Sequence, residues 1–155
     1  MAISIRPALA GDLERISAFL IELSEAFSVG EFSPEGRSRF MAELAPDRLR
    51  ARLTGDFRFY LAEDGTQIAG VAAVRGVSHL YYLFVGRTYQ RLGLARRLWT
   101  RAKDDALRAG NRGRFTVNAS NHAVGAYERL GFRRTESTRN ADGVLYNPME
   151  FVVDA

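Results

Sequence analysis

The chain has 155 residues, of which 46% are hydrophobic and 26% charged, with a net charge of +4; this is the balance of a globular, not a disordered, protein, and close to one ordinary domain, so a single unit over residues 1–155 is expected. It has no cysteine and only two histidines, His79 and His122, which excludes a disulfide framework, a thiolate metal site and a cysteine nucleophile, and argues against any metal centre. No apolar run approaches a bilayer span and the start "MAISIRPALAGDLERI" lacks a secretory pattern, so a cytoplasmic protein with no membrane partner is expected. The chemistry must then come from backbone groups, hydroxyls, carboxylates, a histidine or a carried cofactor.

"ISIRPA" reads as a first strand closed by Pro7. Asp12 is placed to cap a helix whose apolar residues Leu13, Ile16, Leu20, Leu23 and Phe27 recur at steps of three and four. "SVGEFSPEG" breaks that helix, and Ser33 followed by Pro34 predicts the start of another; "APDRLRARL" is a further short helical piece. Strand-like runs on either side of Asp64-Gly65 predict a hairpin, and "HLYYLFV" continues the sheet. "LGLARRLWTRAKDDALRAG" is a helix with Leu94, Leu98, Trp99, Ala102 and Ala106 on one side and Gly110 as its stop. "RFTVN" is a buried strand, "HAVGAYERLG" a short helix ended by Gly131, and "FRRTES" with "GVLYNPMEFVV" a closing pair of strands around Ala141-Asp142-Gly143. This order predicts an α/β sheet that mixes parallel and antiparallel pairs.

Between Gly86 and Phe115 nine basic residues face two acids, a local positive field suited to an anionic ligand, although arginines on a solvated helix face produce the same count. No zinc-finger spacing, basic zipper or aromatic RNA-binding signature accompanies it, so nucleic acid is not the expected partner. The sharper feature is "VGRTYQRLGLARRLW": a strand end, a polar turn, and a helix that begins at Gly93. A helix N-terminus offers unpaired N–H groups and positive dipole, and a residue without Cβ lets a diphosphate approach the main chain. Ala95 keeps the same surface open, and Gln90 and Arg91 could hold the turn or meet the anion. A purely structural turn has the same outline, and no P-loop or dinucleotide fingerprint is present.

Taken together, "QRLGLA" (Gln90 to Ala95) after the strand "YYLFV" and "AYERLGF" (Ala126 to Phe132) in the following strand–helix–strand resemble the GCN5-related N-acetyltransferase (GNAT) superfamily, whose first motif is [RQ]-x-x-G-x-[GA]. The resemblance covers the whole chain. It implies a mixed central sheet of about seven strands with about four helices, and a gap between splayed parallel strands, here those ending at Val85 and Asn118, that takes acetyl-coenzyme A as acetyl donor. It further implies that backbone groups of Phe84 and Val85 pair with the pantetheine arm and that the segment Gln90, Arg91, Leu92, Gly93, Leu94, Ala95 and Arg96 holds the pyrophosphate. Tyr127 matches the tyrosine that stands near the thioester sulfur as general acid. Where many members carry Asn seven residues before that tyrosine, this chain has Ser120, flanked by Asn118, read as a pantetheine contact, and Asn121, read as a helix cap.

The central strand offers no carboxylate as base; His79 is the catalytic alternative to a structural histidine, and His122 reads as a surface residue. Acceptor choice in the family falls to the first two helices, their loop and the last hairpin, here "FSVGEFSPEG" with Glu25, Glu31 and Glu35, and the stretch around Tyr146. The implied activity is direct acetyl transfer to a primary amine, of a small molecule or of a protein lysine or N-terminus. A non-catalytic acyl-coenzyme A sensor is the rival from another class, and the closing strands offer an edge for a second copy of the chain.

Overall fold

The computed structural model describes residues 2–27 and 29–154; Ser28, in the stretch that interrupts the first helices, lies outside them. Strand β1 (Ile3–Pro7) leads through a 3-10 turn at Ala10–Asp12 into α1 (Leu13–Phe27), α2 (Pro34–Ala42) and α3 (Pro46–Thr54). Strands β2 (Phe57–Asp64), β3 (Gln67–Arg75) and β4 (His79–Val85) form a meander. Then come α4 (Leu94–Arg108), β5 (Arg114–Ala119), α5 (Val124–Leu130), β6 (Arg133–Arg134), β7 (Arg139–Ala141) and β8 (Val144–Val152). The eight strands form a sheet in the order β1-β2-β3-β4-β5-β8-β6, with β7 paired to β8. Every pairing is antiparallel except β4 with β5. The mixed α/β sheet implied by the sequence is therefore present, with one strand and one helix more than the approximate count.

Local chemistry accounts for most boundaries. The Ser33 side chain accepts from Gly36 N–H at 3.1 Å while Pro34 occupies the first helical position. Asp142 (φ 53°) and Gly143 (φ 90°) supply the two left-handed residues of the β7–β8 turn, the backbone that a two-residue hairpin with strand-matching twist requires. Asp12 does not cap α1 as expected: its carboxylate reaches back to Leu9 N–H at 2.8 Å and is gripped by Arg6 and Arg15, an ion pair on each side. Those guanidiniums hold the carboxyl well below the usual carboxylate range. "FRRTES" yields only the two residues of β6, which pair with the middle of β8, before the chain turns and re-pairs as β7 farther along the same strand.

Two apolar layers sandwich the sheet. On one face α4 and α5 bury Leu94, Leu98, Trp99 and Leu130 against Leu80, Phe115 and Val117; the Trp99 ring lies 5.0 Å from Phe115 and 5.2 Å from Phe132 in tilted or edge-on contacts. On the other face α1 and α3 bury Leu13, Ile16, Leu20 and Leu49 against Phe59, Leu61 and Tyr82. The spacing of α1 follows from this: Leu13, Ile16, Leu20 and Leu23, picked out by periodicity, are buried together with Ser17 and Ser24, while Phe27 is half-buried.

Gly70 sets how closely α4 approaches the sheet. A Cβ there would meet Leu98 Cδ1 at 2.8 Å and the Phe84 carbonyl oxygen at 3.0 Å. Gly70→Ala is accordingly expected to destabilise the fold by about 1–3 kcal/mol, the ordinary range for an overpacked core, as a shift in urea midpoint with unchanged slope.

Candidate functional site

The sheet opens at its centre. The parallel pair β4–β5 is joined at only two positions, His79 with Thr116 and Leu80 with Val117, after which the strands part. The parting coincides with a register shift in β4. Ala73 pairs with Tyr82 and Val74 with Leu80, so Tyr81 is the extra residue of a bulge. A bulge re-aims the side chain it carries, and Tyr81 turns to the α1–α3 face with Tyr82, their rings edge to face at 4.9 Å.

Beyond the bulge the antiparallel alternation fixes which backbone groups face the gap. Gly86 N–H donates to Ala69 O at 2.8 Å, so, counting back in register, Phe84 is bonded to β3, whereas Leu83 and Val85 turn their N–H and C=O groups toward the gap. This refines the expectation that named Phe84 with Val85. The Val85 carbonyl is itself met by Gln90 Nε2 at 3.2 Å, so Gln90 holds the turn.

The turn is an anion cradle in outline. Arg91 (φ 64°) and Gly93 (φ 78°) are left-handed, a conformation that gathers successive N–H groups into a concavity. The first intrahelical donor of α4 is Arg97 N–H, to Gly93 O at 3.1 Å, so the N–H groups of Leu94, Ala95 and Arg96 have no acceptor within the helix. A Cβ on Gly93 would have no neighbour within 4 Å: the space in front of the turn is open, and Leu92 beside it is 57% exposed. Much of the local positive charge is otherwise engaged. The Arg96 guanidinium donates to Arg129 O at 2.8 Å and that of Arg97 to Ile3 O at 3.0 Å, while Arg101 and Arg108 both pair with Asp105.

A cleft of about 800 Å³ runs from this turn through the gap between the strands to the far side of the sheet. Tyr127 lines it from α5, 7% exposed, its ring edge-on to Phe132 at 5.5 Å. Burial alone pushes its phenol upward, so the proton is retained across the neutral range. His79 lines the cleft where the strands are still paired; its Nδ1 is hydrogen-bonded to the Thr116 hydroxyl at 2.8 Å. Burial, aided by Arg75, pushes the imidazole down to about 4. Asn118 and Ser120 also line the cleft at the end of β5.

Asn121 departs from its expected role, whereas His122 is at the surface as expected. Asn121 caps no helix; its amide donates to Glu31 and its oxygen accepts from Asn147 Nδ2 at 2.8 Å. The exposed His122 ring stacks on Phe27 at 5.0 Å. These two contacts tie the α1–α2 connection to the β5–α5 connection across the mouth of the cleft.

Of the three expected glutamates, none lines the cleft; the carboxylate that does is Glu43, after α2. Nothing local distinguishes Glu43 in the sequence, because α2 and α3 must fold before it faces β4. Its oxygens are taken by Arg48 at 2.9 Å and Arg52 at 2.7 Å, and Arg52 also donates to the Tyr82 hydroxyl at 2.6 Å. Tyr146 lines the cleft as expected, from β8. Among the described residues there is no acidic, histidine or cysteine cluster that could hold a metal ion, and no helix is long and apolar enough to cross a membrane.

A parted parallel pair, an open helix N-terminus and a buried tyrosine share one cleft, the arrangement that the resemblance to acetyl-coenzyme A-dependent transferases implies. The family described as the acetyltransferase (GNAT) domain matches residues 28–153; the chain belongs to that family of acetyl-coenzyme A-dependent N-acetyltransferases. No curated protein sequence matches the chain. Among solved structures it is similar to a GCN5-related N-acetyltransferase of Rhodopseudomonas palustris, at TM-score 0.82 and 22% identity over 99% of each chain. The PaiA N-acetyltransferase of Thermoplasma acidophilum, solved with coenzyme A, matches at TM-score 0.78 and 20% identity, over 98% of this chain and 99% of its own. YncA of Salmonella typhimurium, solved with acetyl-coenzyme A, matches at TM-score 0.68 and 19% identity, over 100% of this chain and 96% of its own.

The depressed imidazole gives the site a signature in stability. Below its ordinary value of 6.5 and down to about 4, the unfolded chain binds a proton at His79 that the folded chain refuses, so this residue makes stability fall as pH drops through that window. His79→Gln is expected to flatten the dependence of melting temperature on pH between 6.5 and 4, leaving the steeper loss at lower pH, where the paired carboxylates titrate.

Proposed function

We propose that the cleft transfers an acetyl group directly from acetyl-coenzyme A to a primary amine of a small molecule, without an acyl-enzyme stage. The observation that carries the reading is the convergence, in one continuous cleft, of the open α4 N-terminus, the unpaired edge of β4 and the Tyr127 hydroxyl. The N–H groups from Arg91 to Arg96 hold the pyrophosphate, where donors and helix dipole favour a dianion. Backbone groups of Leu83 and Val85 pair with the pantetheine arm as a strand would, satisfying polar groups that the parted sheet leaves open. Asn118, at the end of β5, contacts the same arm.

Bound there, acetyl-coenzyme A supplies an activated thioester: the amine nitrogen forms the new C–N bond, the C–S bond breaks, and the products are the acetamide and the free thiol. Tyr127 supplies the proton that the departing sulfur needs; a phenol raised by burial keeps that proton until charge develops beside it. In the tautomer that carries its proton on Nδ1 and donates it to the Thr116 hydroxyl, His79 presents Nε2 to accept the surplus amine proton, directly or through water. A ring that titrates near 4 is a weak base, so His79 chiefly orients the nitrogen, and much of the rate comes from holding amine and thioester together.

Calorimetric titration tests the reading first. Acetyl-coenzyme A is expected to bind at micromolar strength, with ADP and ATP far weaker. Gly93→Arg should weaken acetyl-coenzyme A at least about tenfold, because it fills the open space and strains a left-handed position; unchanged affinity would remove the pyrophosphate from this turn. Tyr127→Phe should lower kcat by about 10²-fold or more with little change in acetyl-coenzyme A affinity. Tight binding without thiol release for any amine would identify a sensor instead.

A further inference from the structure

The cleft is chemically divided. At the α4 end its charged lining residues are Arg91, Arg96 and Arg129. At the opposite end, under α1, α2 and β8, the walls are Phe27, Phe32, Phe40, Tyr81, Leu145 and Tyr146, with Phe32 and Phe40 edge to face at 5.5 Å. Among the described residues the one carboxylate lining that end, Glu43, already has an arginine on each oxygen. His79 adds no charge there at neutral pH, since burial pushes its imidazole down to about 4.

We infer that the acceptor is a monoamine whose non-reacting part is aromatic, an arylalkylamine, and not a polyamine, an aminoglycoside-like polycation or a lysine side chain in a peptide. This rests on the acetyltransferase reading above. Charge decides between these acceptors. Each further ammonium of a polycation would enter this chamber without an anionic partner, at a desolvation cost that aromatic faces only partly offset. A peptide would bring backbone N–H and C=O groups to walls with few polar partners for them. A single aromatic ring meets what the walls offer, edge and face contacts with Phe32, Phe40, Tyr81 and Tyr146.

The same walls address the weakness of His79. An alkylammonium loses its proton more readily where the charged form is poorly solvated, and a free carboxylate nearby would oppose that by stabilising the ammonium. A chamber whose one carboxylate is neutralised by two arginines therefore favours the neutral, nucleophilic amine, and a weak proton acceptor suffices.

The experiment is a thiol-release assay with acetyl-coenzyme A and 2-phenylethylamine, tryptamine, spermidine and a lysine-containing peptide, run beside calorimetry of acetyl-coenzyme A alone. The inference expects kcat/KM for an arylalkylamine at least about tenfold above spermidine and the peptide. In Phe32→Ala it expects KM for 2-phenylethylamine to rise roughly three- to tenfold, the worth of one ring contact, with acetyl-coenzyme A affinity unchanged. Faster turnover of spermidine or the peptide, or binding of acetyl-coenzyme A with no turnover of either arylalkylamine, overturns the acceptor assignment and leaves the cofactor reading standing. Absence of acetyl-coenzyme A binding overturns both.

Discussion

The structure depends on an interruption in hydrogen bonding. β4 and β5 are neighbours in an otherwise continuous sheet, yet they pair at two positions only and then part at the Tyr81 bulge. Unpaired strand edges inside a protein are costly, so the opening must be propped from both faces and completed by a ligand. α4 and α5 prop it on one side and α1 and α3 on the other. The Arg96 guanidinium, bonded to Arg129 O, spans from α4 to α5, holding the two helices that flank the opening at fixed separation.

Polarity along the cleft follows from which elements line each part. The helix start contributes N–H groups and arginines because the turn before it is built from left-handed residues. The far end is aromatic because β4 carries Tyr81 and Tyr82 consecutively and the bulge places both on one face. Arg52 then lies within 5.0 Å of the Tyr81 ring centre and pairs with Glu43, so a charge that could have entered the chamber is used to brace its wall. Two buried polar atoms, Ser24 Oγ and Trp99 Nε1, have no partner among the described residues.

The sequence disclosed what is local. Ser33-Pro34, Asp142-Gly143 and the apolar spacing of α1 each act within a few residues, and each appears where the pattern placed it. The turn from Gln90 to Ala95 and the buried Tyr127 were legible for the same reason, helped by the resemblance their motifs carry. What stayed hidden depends on register and tertiary contact. Whether Phe84 or Leu83 faces the gap is a matter of strand parity relative to β3, which no residue of β4 announces. Asn121 looks like a cap until Asn147 and Glu31 are brought to it, and Asp12 until Arg6 is. Glu43 gains its position only when α2 and α3 have folded over the sheet, whereas Glu25, Glu31 and Glu35, nearer the loop in sequence, do not line the cleft.

The contact between α2 and the β7–β8 turn has an implication for how this protein can change. The two segments meet through backbone and one ion pair: Ser33 N–H donates to Gly143 O at 3.0 Å, a Cβ on Gly36 would collide with the main chain of Gly143, and Arg39 donates to Asp142 O at 2.9 Å and pairs with its carboxylate at 3.1 Å. The seam that closes the aromatic end is thus held by main-chain groups, two glycines and the Arg39–Asp142 pair, and not by the side chains that face the cavity. Phe40 and Tyr146 can therefore be exchanged without unfastening it. Drift in acceptor preference is open to this scaffold through those wall positions, while Gly36 and Gly143 in the seam leave no room for a side chain.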